Sequence, residues 1–210
     1  MNKIKIVLCI VTVTILGVLL PVYSNPEIVK EEHGNITVIN VAKDPIKLAE
    51  DFDELPVEEK LKLLKNPDTM LPVYLISIAD LYYNAGKQDY GLYLYLLGSL
   101  RAFQDISMCE DFTARAQMQI YPMLASDTVK YMFTLDNKKL MKIAKSVVEW
   151  DKEHPTRPDP VWACYHGMFA FAGNVKTKPM SEYPKIQKKN RKEFLSMIKE
   201  MDKYKKETDE

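Results

Sequence analysis

Glycine is scarce in this sequence, with seven residues among 210, and cysteine, histidine and tryptophan are rarer still. Glycine supplies the tight turns of sheet proteins and the backbone of phosphate-binding loops, so its scarcity argues against both. No catalytic signature stands out either. The abundant residues are leucine, lysine, alanine, methionine and glutamate, which favour helices.

An excess of either charge is also absent, because 29 lysines and arginines balance 29 aspartates and glutamates. A nucleic-acid-binding protein needs a clustered positive excess. The sequence therefore predicts no nucleic-acid partner.

The start of the chain has the three-part layout of a secretory signal peptide. Lys3 and Lys5 give a positive start, an apolar run follows over residues 6–20, and Val22 and Ser24 supply the small or aliphatic residues that suit a signal peptidase. We therefore predict a signal over residues 1–24 that is cleaved after Ser24. The mature protein is expected in the periplasm or outside the cell.

Other interpretations of this segment stay open. The apolar run approaches the roughly 20 residues that span a bilayer, so an uncleaved membrane anchor is an alternative. A lipoprotein is disfavoured because Cys9 lies inside the run rather than at its end. The layout suggests a bacterium, although Asn35-Ile36-Thr37 would be a glycosylation acceptor in a secreted eukaryotic protein.

Cleavage would leave about 186 residues, the size of one domain, with a formal charge near −2. Two cysteines remain in this mature chain, Cys109 and Cys164. In an oxidising compartment such a pair favours a disulfide that joins two distant helices. Two buried free thiols are the alternative.

Residues 25–43 are predicted to be irregular, and residues 44–210 to form a single α-helical domain. Within the irregular part, residues 36–42 are the only β-branched run and predict one extended segment without a partner strand. The expected fold class is all-α, a partly repeat-like helical-hairpin bundle of about seven to nine helices.

Cap residues, prolines and apolar stripes mark the predicted helices. Asp111 suits the cap of one helix, which Pro122 should bend or interrupt. Residues 161–172 are apolar on nearly every side, which is typical of a central helix. The last helix is amphipathic and basic, which fits a solvated face or docking on a membrane or partner. Besides the helix that begins at Asp111, the predicted helices cover residues 44–52, 56–66, 72–86, 89–104, 127–134, 136–154, 161–172 and 184–206.

Residues 79–95 read ADLYYNAGKQDYGLYLY and resemble one unit of a tetratricopeptide or Sel1-like repeat. The matching residues are Ala79, Tyr82, Tyr83 and Gly86 for the first helix and turn, and Asp89, Tyr93 and Tyr95 for the second helix. Gly98 stands where such repeats prefer alanine, and no second copy is evident. The resemblance implies a helical hairpin and a bias towards protein binding.

The densest polar cluster lies within residues 101–117. Arg101 and Asp105 are four apart and suit an ion pair on one helix face. Glu110 and Asp111 are adjacent and point apart, so they make a poor pair for general acid–base catalysis. The cluster is therefore interpreted as structural, with a recognition patch or a carboxylate site as the alternative.

A second candidate is the apolar stretch around Cys164 and His166. These two residues are two apart and do not share a helix face, so they suit neither zinc nor a cysteine–histidine nucleophile pair. Zinc would also need His154 or Cys109 to converge on them. We predict no catalytic residue, no metal and no cofactor. The residues proposed to contact a partner are Arg101, Asp105, Glu110, Asp111, Arg115, Trp162 and His166.

The leading functional hypothesis is an exported, non-enzymatic module of the bacterial envelope that binds another protein. One version is an immunity protein that neutralises a toxin acting in the periplasm. The partner would be such a toxin or an envelope component, with membrane contact only through an uncleaved signal segment. The alternative is an envelope hydrolase or a small-molecule-binding protein, with its site near Glu110, Asp111, Arg115 and His166.

Overall fold

The computed structural model describes residues 30–33, 36–39 and 54–208. The predicted signal over residues 1–24 and the predicted helix over residues 44–52 lie outside these ranges. Most of the described residues are helical, which confirms the predicted predominance of helix. None of the helices in the described ranges is long and apolar enough to cross a membrane.

The helices follow one another with short connections. The α-helices are α1 (Val57–Leu63), α2 (Pro72–Ser77), α3 (Ala79–Asn84), α4 (Gln88–Met108), α5 (Tyr121–Leu124), α6 (Ser126–Thr134), α7 (Asn137–Glu153), α8 (Val161–Cys164), α9 (Met168–Phe171) and α10 (Tyr183–Thr208). Three 3-10 helices cover Pro67–Thr69, Phe112–Gln119 and Met180–Glu182.

Helix α4 is the centre of the fold. Its buried residues lie on every side of the helix, and α2, α3, α7 and α10 all pack against it. Leu92, Leu97 and Leu100 are among its fully buried side chains. A long helix that is buried all round fixes the positions of everything packed on it.

Two glycines let α2 and α3 run back closely along α4. A Cβ at Gly91 would lie 2.6 Å from the carbonyl oxygen of Ala79, and a Cβ at Gly98 would lie 2.7 Å from that of Pro72. The partner numbers fall as the α4 numbers rise, so α4 is antiparallel to both helices. Gly98, which departs from the repeat pattern, is thus required by the close approach of α2. Gly86 makes the turn before α4 with a φ of 77°, in agreement with its place in the turn of the repeat-like unit.

The apolar stretch over residues 161–172 is not the predicted central helix. It forms two short turns, α8 and α9, and Gly167 between them is extended. Trp162 is buried, but Phe169 and Phe171 are exposed. The Asp111 carboxylate causes the break, because it accepts a hydrogen bond from the Phe169 amide and lies where a Cβ on residue 167 would be.

A small sheet joins two strands within residues 30–39 to one strand in the second half of the chain. Its strands, in spatial order, are β1 (Lys30–His33), β2 (Ile36–Ile39) and β3 (Thr156–Pro158). Strand β2 pairs antiparallel with β1 on one side and parallel with β3 on the other. Residues 36–39 of the β-branched run are extended as expected, but they have partner strands, unlike the isolated segment predicted. The partner β3 ends in proline and reads as loop in the sequence.

Cys109 and Cys164 form a disulfide, with their Cα atoms 5.4 Å apart. Cys109 follows α4 directly and Cys164 is the last residue of α8. Both cysteines are buried. The bond therefore ties the short helices after residue 160 to the end of the central helix.

Candidate functional site

Three of the seven predicted site residues lie in a buried ion network. Its members are Arg101, Gln104 and Asp105 of α4, Asp151 of α7, Arg157 of β3, Trp162 of α8 and Arg191 of α10. The network connects five elements of the fold across the inside of the molecule.

Asp151 is the centre of one half of the network. Its carboxylate accepts hydrogen bonds from Arg101 Nε at 3.1 Å, from Gln104 Nε2 at 2.8 Å and from Arg191 Nε at 2.7 Å. Burial by itself raises the pKa of this carboxyl. The nearby arginines and Gln104 lower the pKa by more than burial raises it, so the net shift is downward. Asp151 is therefore ionised at neutral pH.

Asp105 is the centre of the other half. It accepts hydrogen bonds from Arg157 Nη2 at 2.5 Å and from Trp162 Nε1 at 2.8 Å. Complete burial raises the pKa of this carboxyl to about 6, although Arg157 and Trp162 oppose that rise. The predicted intrahelical ion pair between Arg101 and Asp105 is not formed, because each side chain pairs with a different, distant element.

Apart from the partly exposed Arg191, this network is closed to solvent. Arg101, Asp105 and Trp162 are all buried, so a partner could not touch them without opening the core. Buried ion pairs are costly to break once one partner is removed. The arrangement is therefore one that fixes α4, α7, α8 and α10 relative to each other.

Asp111 acts as a double cap. Its carboxylate accepts hydrogen bonds from the amide of Thr113 at 2.9 Å, from the Thr113 hydroxyl at 2.6 Å and from the amide of Phe169 at 2.7 Å. Burial raises the pKa of Asp111, but these hydrogen bonds outweigh it and the pKa is lowered. The predicted capping role is confirmed, and the oxygens are committed to the backbone.

The remaining predicted site residues, Glu110, Arg115 and His166, are exposed. The Glu110 amide donates to the carbonyl of Lys176, and the His166 ring lies edge-on to Trp162 with 6.3 Å between ring centroids. Partial desolvation lowers the pKa of His166. These residues lie around the Asp111 loop, on the side of the molecule where the disulfide is.

The predicted residues do not form a metal centre in the part of the chain that the structure describes. Within the described ranges, no three His, Cys, Asp or Glu side chains lie close enough to hold a metal ion. A shallow groove lies between α7 and α10, with Lys138, Lys145 and Lys199 on its walls. None of the seven predicted site residues lines that groove.

Sequence reasoning missed a surface of five tyrosines on the α3–α4 hairpin and the adjoining α6. We call it the tyrosine surface, and its members are Tyr82, Tyr83, Tyr90, Tyr93 and Tyr131. Tyr90 lies edge-on to Tyr82 with 4.8 Å between ring centroids and stacks on Tyr93 at 6.1 Å. Tyr83 contacts Tyr131 at 5.8 Å. The five rings thus form two packed groups, in which Tyr90 is exposed and the other four rings are half-buried.

Charged side chains lie among these rings. The Lys87 ammonium lies 5.7 Å from the centroid of the Tyr82 ring. The Tyr131 hydroxyl donates to Asp89 at 2.6 Å, and Lys139 Nζ lies 2.8 Å from the same carboxylate.

Four of the five tyrosines belong to the repeat-like stretch, but Tyr131 lies far along the chain. No local pattern could have grouped it with the others.

The hydroxyls of Tyr90 and Tyr93 stay protonated at neutral pH. Burial raises the pKa of Tyr93 to about 12 and also raises the pKa of Tyr90. Each protonated phenol can donate and accept a hydrogen bond. The surface therefore combines apolar rings with neutral polar groups and both signs of charge.

Comparison of the chain with protein-family models, with curated proteins and with solved structures found no significant match.

Proposed function

We propose that this chain is an exported, non-enzymatic module that binds another protein through the tyrosine surface. The observation that carries the proposal is the concentration of packed tyrosine rings on one helical hairpin and its neighbour α6, as the group Tyr82, Tyr90 and Tyr93 and the pair Tyr83 and Tyr131. Tyrosine offers a large contact area at low cost in conformational entropy and is enriched among the residues that dominate protein interfaces.

The surroundings of the rings favour a protein partner. Lys87 and Asp89 are exposed beside the central rings, and Tyr90 itself is 44% exposed. Protein interfaces typically have an aromatic centre with a polar, charged rim. A partner with an apolar or aromatic centre and charges of both signs would complement this arrangement.

Two features support export to an envelope compartment. The N-terminal residues have the composition of a signal peptide. The Cys109–Cys164 disulfide is a bond that persists in oxidising compartments. In the most specific version of the proposal, the partner is a toxin that acts in the periplasm, and this chain is its immunity protein.

The alternative, a hydrolase or small-molecule-binding protein, has less support. It would use Glu110, Asp111, Arg115 and His166, but the Asp111 oxygens already accept three hydrogen bonds. A general acid or base must instead reach its substrate from a cleft.

Affinity purification of the full chain from its own host tests the proposal. The chain carries a C-terminal tag, the envelope fraction is isolated, and copurified proteins are identified by mass spectrometry. We expect one stoichiometric envelope protein with the wild type and its loss with Tyr90→Ala. A toxin-like hydrolase as that protein would support the immunity version.

Tyr165→Ala is the matched control, because Tyr165 is 39% exposed but follows α8 and has no ring contact with the tyrosine surface. It should retain the partner. A partner lost equally with both variants, or retained with Tyr90→Ala, would show that the tyrosine surface is not the binding site. The absence of any copurified protein would contradict the proposed function.

A further inference from the structure

A groove that the proposed function does not use lies between α7 and α10, the helix that the sequence predicts to be amphipathic and basic. We call it the lysine groove, and its principal members are Lys138, Met141, Lys142, Lys145, Leu195 and Lys199. The two helices are antiparallel, since Asp151 pairs with Arg191 beyond one end of the groove and Lys138 and Lys199 line the other end.

The base of the groove is apolar. Met141 of α7 and Leu195 of α10 are half-buried and pack against the main hydrophobic core. Each side chain is therefore supported by the core on one side and reaches solvent on the other. An occupant with apolar side chains would remove this remaining apolar surface from water.

Four lysines surround the apolar base. Lys138, Lys142 and Lys145 follow one another at helical spacing on α7, and Lys199 lies across the groove on α10. All four are exposed, and none forms an ion pair with a side chain that the structure describes. Other lysines of the same two helices do have carboxylate partners, namely Lys139 with Asp89, Lys152 with Glu149 and Lys189 with Glu193.

Two further carboxylates border the groove, and each has a local partner. Asp136 lies at its edge and caps α7 by accepting a hydrogen bond from the Lys139 amide at 2.8 Å. Glu200 accepts a hydrogen bond from the Ser196 hydroxyl at 3.4 Å. Since the four lysines outnumber these two carboxylates, the groove keeps an excess of positive charge.

The shape and charge of the groove favour a helix over other occupants. A small molecule would stay mostly in water, because sites for small molecules enclose most of their ligand and this groove is shallow. A nucleic acid would gain nothing from the apolar base, and the charge of the whole chain is balanced. A helix laid between α7 and α10 would bury an apolar stripe and direct carboxylates beside that stripe towards the lysines. Because all α-helices have the same rise per residue, carboxylates four and three residues apart match the spacing of Lys138, Lys142 and Lys145.

We propose that the lysine groove binds an acidic amphipathic helix of a partner protein, with its apolar side chains over Met141 and Leu195 and its carboxylates facing Lys138, Lys142 and Lys145. The bound helix packs as a third helix on the antiparallel pair α7 and α10. This site is separate from the tyrosine surface, and binding here does not require binding there.

Binding of a designed peptide tests the proposal. The probe is a fluorescein-labelled helical peptide of about five turns, with leucines on one face and glutamates on both sides of them. The control peptide has lysine in place of each glutamate. Fluorescence anisotropy with the full chain should give a Kd below about 100 μM for the glutamate peptide and a Kd at least about tenfold higher for the lysine peptide.

Hydrogen–deuterium exchange locates the bound peptide. With the glutamate peptide present, we expect protection at residues 137–145 and 192–199 and none at residues 82–93. Protection elsewhere without protection at the groove, or no binding of the glutamate peptide, would overturn the proposal.

Charge reversal separates the groove from the general charge of the molecule. Lys142→Glu with Lys145→Glu should weaken binding about tenfold or more, because two attractive contacts become repulsive. Lys185→Glu with Lys188→Glu is the matched control, since it changes the net charge equally at exposed residues of α10 outside the groove, and it should bind like the wild type. Tyr90→Ala should also bind like the wild type, so the result does not depend on the tyrosine surface.

The apolar base is tested at Met141. Met141→Gln keeps the length of the side chain but should weaken binding about fivefold, whereas Met141→Leu should bind like the wild type. Unchanged binding by the Lys142 and Lys145 variant would contradict the proposal. Tighter binding of duplex DNA than of the glutamate peptide, weakened by the same charge reversal, would assign the groove to a nucleic acid instead.

Discussion

The tyrosine surface and the surface formed by the exposed apolar side chains at residues 112–124 and 165–171 are both aromatic, but they are built in different ways. The first lies mainly on one helical hairpin, whose turn at Gly86 and close contact at Gly91 are local in the chain. The second consists of short turns that are held by distant residues, through the Cys109–Cys164 disulfide and the Asp111 cap on Phe169. Breaking long-range ties should therefore disturb the second surface and leave the first intact.

The largest effect is expected from Arg157→Met. The change leaves the fully buried Asp105 carboxylate without its cation, which typically costs about 3–5 kcal/mol of unfolding free energy. Denaturant unfolding measures the loss, with the exposed Arg115→Met as control. Equal stability of the two variants would show that the buried pair contributes nothing.

The next largest effect on stability is expected from removing the disulfide by Cys109→Ser combined with Cys164→Ser. It should cost about 2–4 kcal/mol, since the bond closes a loop with a sequence separation of 55. Hydrogen exchange should become faster in residues 165–171 and stay unchanged in residues 82–93. Equal acceleration in both regions would contradict the proposed difference in construction.

A smaller effect is expected on the pH dependence of the unfolding free energy. The pKa of the Asp105 carboxyl is raised to about 6 in the folded state, so the folded chain binds this proton more tightly than the unfolded chain. The stabilisation from this group is complete below about pH 4 and is lost as the pH rises through about 6.

Asp105→Asn removes this contribution. Between pH 4 and 6 we expect the unfolding free energy of the wild type to fall by about 2 kcal/mol relative to that of the variant. Chemical unfolding over this pH range provides the measurement. Parallel pH profiles would mean that Asp105 titrates at an ordinary pKa in the folded chain.

The smallest effect on stability is expected from Tyr131→Phe. The lost hydroxyl donates to Asp89 in an exposed network that also includes Lys139. Exposed polar networks contribute little to stability, so the denaturant midpoint should not change measurably. A clear drop would show that the tyrosine surface, too, depends on contacts distant in sequence.

The sequence predicted the features that depend on neighbouring residues. The cap at Asp111 and the helix-ending turn at Gly86 follow from local signals, and both are present. The pairing of the two cysteines was one of two open alternatives. These successes reflect the short range over which caps and turns act.

The other features could not be predicted, because they depend on which residues distant in the chain come into contact. Arg101 and Asp105 looked like partners, but their ion-pair partners are Asp151 and Arg157, about 50 residues further along the chain. The exposure of Phe171 was also hidden, because an apolar run that is buried and one that protrudes have the same composition. Tyr131 was not grouped with the other tyrosines for a related reason, because its contact with Tyr83 joins residues that are far apart in the chain.

The pairing of β2 with β3 has a consequence for how the molecule reaches its final form. Thr37 lies opposite Thr156, so this parallel ladder closes a loop of more than one hundred residues. Long closures of this kind are slow to form, whereas the helices between them can fold as soon as they are synthesised. In a chain that emerges N-terminus first, β1 and β2 can pair early, but the other edge of β2 must stay unpaired until β3 has been synthesised.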